Sequence, residues 1–74
     1  MADNRGAEIL RYFTYEHLPP GIMMDTSRAF ATLAQRVVSE LPSSAERSSA
    51  LRHLLEAKDA AVRAALDLTA EGEL

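Results

Sequence analysis

Pro42 is the residue that most restricts the fold, because it stands between two apolar-periodic stretches in a chain too short to separate them. Before it, Phe30, Leu33, Ala34, Val37, Val38 and Leu41 recur at the three- and four-residue spacing of one helix face. After it, Ser43 to Leu68 runs without Gly or Pro. Ser43 followed by Glu46 reads as a capping box that starts the second helix. A proline cannot continue the first helix, and so short a connection folds the second back antiparallel on it. The fold expected is all-α: an antiparallel helical hairpin over residues 7–70, with a disordered N-terminus at 1–6 and an acidic disordered tail at 71–74.

On a helical wheel, Leu54, Leu55, Val62, Ala65 and Leu66 fall within about 60° of Leu51. That stripe predicts the seam with the first helix. Two cations interrupt it: Lys58 lies about 20° from Leu51, and Arg47 lies near the edge, one turn into the helix. A separate stripe carries Ala57, Ala61 and Ala64, with Ala50 and Leu68 in line. It reads either as a contact between subunits or as alanine used for helix propensity alone.

The segment before the hairpin has a different character. Ala7 to Phe13 fits a short helix or an extended arm, and TYEHLPPG follows, where two prolines forbid regular helix and Gly21 permits a turn. Ile22, Met23 and Met24 read as an apolar plug, and Asp25, Thr26 and Ser27 as candidate caps for a first helix from about Ser27 to Leu41. Tyr12, Phe13 and Tyr15 crowd together with His17. They either close one end of the hairpin as core, or leave Tyr15 and His17 as faces on which a nucleobase stacks.

Composition removes several functions. A net charge of -3 excludes a general nucleic-acid binder, whose affinity rests on many phosphate contacts. That charge is uneven: residues 26–66 sum to +2, which leaves room for a small anion. With no cysteine there is neither disulfide nor thiolate, and a 74-residue chain with so thin a core is expected to self-associate. No apolar run spans a membrane and no signal peptide is evident, so a cytoplasmic location is expected. His17 and His53 lack metal-ligand spacing, the serines cluster at a helix start, and the glycines are isolated. The expectation is therefore a protein that is not an enzyme, with no metal and no cofactor.

What remains is aromatic surface beside cations. Tyr15 is placed to stack on a base, with His17 beside it and Arg28, Arg47 and Lys58 to meet phosphates. For Lys58, a salt bridge to the facing helix or a stem lying along apolar neighbours is the competing reading. The order FTYEHLPP, LAQRVVSELP, AERSSALRHLLEAKDAAVRAAL resembles the helical hairpin domain of phage anti-defence sponges that counter CBASS and Thoeris immunity. The resemblance spans about Tyr12 to Ala65. It rests on an aromatic-x-Tyr segment with nearby His and Pro, a helix ending in Pro, and a Glu-initiated Ala-rich helix.

That resemblance implies a homo-oligomer, commonly a hexamer, acting in the cytoplasm of a bacterial host. It would bind cyclic di- or trinucleotides, or cyclic ADP-ribose-type signals, at subunit interfaces without cleaving them. Tyr15 and His17 would match the aromatic segment and Arg47 the basic position beside the helix start. Many relatives carry a Met and an Asn where this chain reads LEAKDAAVRAAL. The reading from a different class is a structural or adaptor hairpin that docks on another protein and takes no small ligand.

Overall fold

The computed structural model describes the backbone of residues 7–72 and the side-chain surroundings of residues 8–68. Residues 1–6, 73 and 74, expected to be disordered, lie outside the described residues. The chain forms a 3-10 helix, Ala7–Tyr12, then helix α1, Ile22–Glu40, and helix α2, Ala45–Gly72. No strand occurs among the described residues. The two long helices pack along each other as a hairpin, and the 3-10 helix packs against both. At 1.5 Å per residue α2 is about 42 Å long, which accounts for the elongated shape of 52 × 19 × 15 Å.

The turn between the helices follows its residues closely. Leu41 leaves α1 in extended geometry (φ -109°, ψ 147°), as a residue before proline must. Its N–H still closes on the Val37 carbonyl at 3.2 Å. α2 begins at Ala45, later than the expected start at Ser43. Ser44 Oγ accepts the Arg47 N–H at 3.1 Å, so Ser44 fills a cap role that the sequence reading gave to Ser43. At the far end the helix continues through Glu71 and Gly72, where a disordered tail was expected.

α1 departs from expectation at its start. It begins at Ile22, five residues early, so Ile22, Met23 and Met24 form its first turn instead of a plug before it. The cap is Gly21, with no side-chain cap bond, and its φ of 135° belongs to a region that glycine enters and other residues rarely do. Ser27, read as a candidate cap, is instead buried in the helix, and its hydroxyl donates to the Thr14 carbonyl at 3.4 Å. That bond ties the connector to α1.

The core gathers on Phe13, Ala31, Ala34 and Leu51, with Ile9, Leu10, Tyr15, Phe30, Val37, Val38, Leu54 and Leu55 packed around them. Two alanines at the centre let the helices approach closely and leave room for Phe13. The α1 seam is thus centred on Ser27, Ala31 and Ala34, and Leu33 and Leu41, expected inside, are exposed. On α2 the seam runs Arg47, Leu51, Lys58, Ala65, while Leu66 at its edge is 52% exposed. Tyr12 is exposed too, with the Arg11 guanidinium 4.9 Å from its ring centroid.

Candidate functional site

The two cations in the apolar stripe of α2 find different partners. Arg47 is buried, 6% exposed, and its Nη1 donates to the carbonyls of Val38 at 3.1 Å and Leu41 at 3.0 Å. Those carbonyls belong to the end of α1, where the last turn has no intrahelical donors and the dipole is negative. α1 has no basic residue in its own last turn. Arg47 supplies that charge from the next helix, and its position one turn into α2 is what lets it reach back.

Lys58 is half-buried, and its Nζ donates to the Tyr12 carbonyl at 2.7 Å. The acceptor is again a helix end, that of the 3-10 turn, and the bond spans 46 residues of sequence. Among the described residues Lys58 therefore pairs with neither a buried acid nor another side chain. An ammonium has three donors, and Tyr12 takes one of them here.

Beside Lys58 opens a cavity of about 250 Å³, lined by His17, Leu18, Ser27, Lys58, Asp59, Val62 and Arg63. Its geometry starts from the connector. Leu18 N–H donates to the Tyr15 carbonyl at 3.1 Å, closing a turn with Glu16 and His17 at its centre. The prolines that follow admit no regular helix, and a turn at Pro20 and Gly21 leads into α1. This turn presents an exposed His17 to the side of α2 where Asp59, Val62 and Arg63 lie. The cavity wall holds two cations, one imidazole and one carboxylate, around apolar Leu18 and Val62.

The structure thus brings together His17 and Lys58 of the residues singled out from sequence, and adds Arg63, an exposed residue of α2. Tyr15 is half-buried and packs against the core instead of lining the cavity. Arg28 lies elsewhere, on the outer side of α1, with its Nη2 3.0 Å from Asp25 Oδ1. A larger depression of about 470 Å³ runs past it, but every lining residue belongs to α1, and one helix surface cannot enclose a ligand. Its other cation, Arg36, faces Glu40 at 3.4 Å. The smaller cavity, walled by two elements, is the better candidate.

Ala57 and Ala64 are exposed and Ala61 is half-buried. Among the described residues no group of three His, Cys, Asp or Glu is placed to hold a metal ion. His53 lies on the open surface of α2, its Nδ1 3.4 Å from Glu56 Oε1. No described helix is long and apolar enough to cross a membrane. Comparison with protein families, with curated proteins and with solved structures finds no match to this chain.

Proposed function

We propose that this protein binds small anionic nucleotides and withholds them without chemistry, as the sponges it resembles do with cyclic di- and trinucleotides or cyclic ADP-ribose-type signals. The observation that carries the reading is the juxtaposition of His17 with Lys58 and Arg63 around one cavity. Two cations against one carboxylate favour a phosphate, and the imidazole offers a flat face and a donor. Lys58 is held in position by the Tyr12 carbonyl, so part of the ordering cost is met before the ligand arrives.

Size supports a shared site. A cavity of 250 Å³ falls below the roughly 300–1,000 Å³ of ordinary small-molecule sites. It accommodates a phosphate and its sugar, and in this reading a neighbouring subunit of a homo-oligomer, a hexamer on the resemblance, covers the rest. The cavity wall offers no nucleophile paired with a base, which favours sequestration over turnover. Function then follows from mass action: each bound signal molecule is lost to the host effector.

The exposed side chains of Leu33, Leu66 and Leu68 favour the second reading, a hairpin that docks on another protein with no small ligand. Calorimetric titration with a panel of cyclic di- and trinucleotides and cyclic ADP-ribose isomers divides the two. Saturable heat with an accompanying rise in melting temperature is expected for at least one of them. Silence across the panel rejects the nucleotide reading and leaves the docking one.

A further inference from the structure

We infer that α2 carries a second packing seam whose occupant is α2 of a second copy of this chain, running antiparallel. The inference gives the proposed self-association a surface and a register, and it does not depend on what the cavity binds. Its seam consists of Ala50, Leu54, Ala57, Ala61, Ala64 and Leu68, spaced by alternating steps of four and three residues, the spacing of a coiled-coil contact line. It is centred about 90° around the helix from the Leu51 seam that faces α1. That is the angle at which a helix in a four-helix bundle meets its two neighbours. Leu68 is 58% exposed on it.

The spacing reads the same in both directions about Asp59. An antiparallel copy therefore sets Ala50 opposite Leu68, Leu54 opposite Ala64, and Ala57 opposite Ala61. Every large side chain meets a small one, and the centre is alanine on alanine, which permits an interaxial distance near the lower end of the 8–10 Å range. The outer flank is complementary as well. In this register His53, whose Nδ1 lies 3.4 Å from Glu56 Oε1 of its own helix, comes within about 3 Å in height of Asp67 of the second copy on both sides of the two-fold axis, and the two Ala60 residues flank the axis with the same offset. Both His53 and Asp67 are exposed in the single chain.

α1 extends the same surface. Helix geometry places Phe30, Leu33 and Val37 on the same side of the hairpin as this seam, and Leu33 is 46% exposed there. The cavity residues Asp59, Val62 and Arg63 lie on the other side of α2, beneath the connector. A two-fold dimer formed through the seam leaves the cavity open for a further subunit, so the two contacts are compatible in one closed assembly.

The absence of native cysteine makes a single-cysteine test clean. In the antiparallel register Ala60→Cys stands within about 3 Å of its counterpart along the axis, whereas Ala64→Cys lies about 15 Å from its own. With a short thiol-to-thiol reagent on the full chain, without nucleotide, Ala60→Cys is expected to give a covalent dimer and Ala64→Cys none. Sedimentation of the cysteine-free protein should show a dimer or a multiple of it, reduced at least tenfold in association constant by Ala64→Glu. Cross-linking of Ala64→Cys, failure of Ala60→Cys to cross-link, or a monomer in sedimentation overturns the inference. Failure of the register with an oligomer still present in sedimentation overturns this inference and leaves the nucleotide reading standing, silence in the nucleotide titration leaves this inference standing, and a monomer overturns both.

Discussion

The closed end of the hairpin and the side where the connector lies solve the same problem with opposite margins. In each, a cation from the apolar stripe of α2 reaches across to carbonyls at the end of another helix. At the closed end Arg47 is buried and meets two carbonyls of α1, so its guanidinium is committed to the fold. On the connector side Lys58 is half-buried, meets one carbonyl, and lines a cavity open to solvent. A cation on an apolar helix face thus says that an uncapped helix end lies within reach. Whether it also binds a ligand depends on the donors and the access left over.

The largest effect that tests this contrast belongs to Arg47. Arg47→Met keeps most of the apolar stem but leaves the Val38 and Leu41 carbonyls without the guanidinium in a buried setting. The expected loss is about 2–4 kcal/mol, a large part of the stability of so small a domain. Urea unfolding followed by circular dichroism at 222 nm reads it directly. A loss below about 0.5 kcal/mol would mean that water replaces the guanidinium at the turn, and the closed end would then be no more committed than the connector side.

How much of this contrast was legible beforehand follows from what each signal encodes. Periodicity and Pro42 gave the hairpin, because a repeat of apolar residues and a missing donor are properties of the sequence itself. They also marked Arg47 and Lys58 as out of place. They could not supply the partners, since both cations bond to backbone carbonyls, and every residue carries one of those. The early start of α1 was hidden for a similar reason: Gly21 caps it by conformation, while Asp25, Thr26 and Ser27 offered cap side chains that the fold uses otherwise. Ser27 reads as polar until the Thr14 carbonyl is brought to it.

The candidate site was half legible. His17 and Lys58 stand out by their chemistry, but the path of a connector with no period is not written in any spacing, so nothing in the sequence points to Arg63. Tyr15 had two readings, core at one end of the hairpin or a stacking face, and the turn that carries His17 outward leaves Tyr15 packed against the core. The leucines at stripe edges, Leu33, Leu41 and Leu66, were taken inward by a wheel that cannot see how narrow an alanine-centred seam is.

Lys58 gives the intermediate effect. Lys58→Met removes one charge-assisted bond at a partly solvated position, with an expected cost of about 1 kcal/mol once solvent screening is allowed for. The loss should be local. Amide exchange in the 3-10 helix is expected to quicken while the α1–α2 seam keeps its protection, because the lysine anchors the N-terminal segment and not the hairpin. Binding of the nucleotide found by titration should weaken at least tenfold. If Lys58→Met instead costs as much as Arg47→Met and loosens the whole chain together, the N-terminal segment belongs to one cooperative core and the contrast between the two regions disappears.

Arg63 carries the smallest effect on folding and the sharpest on function. It is exposed, and its role in the proposal is confined to the cavity wall. Arg63→Gln should therefore leave the unfolding midpoint within about 0.5 kcal/mol of the parent protein. Its guanidinium offers a fork suited to a phosphate, so the same change is expected to weaken nucleotide binding by about tenfold and to reduce its salt dependence. Calorimetry at two ionic strengths separates the charge contribution from any loss of shape, and Arg63→Lys should restore the salt dependence but only part of the affinity. Unchanged affinity in Arg63→Gln, with the fold intact, would confine the anion to Lys58 and His17 and move the rest of the site onto a neighbouring subunit.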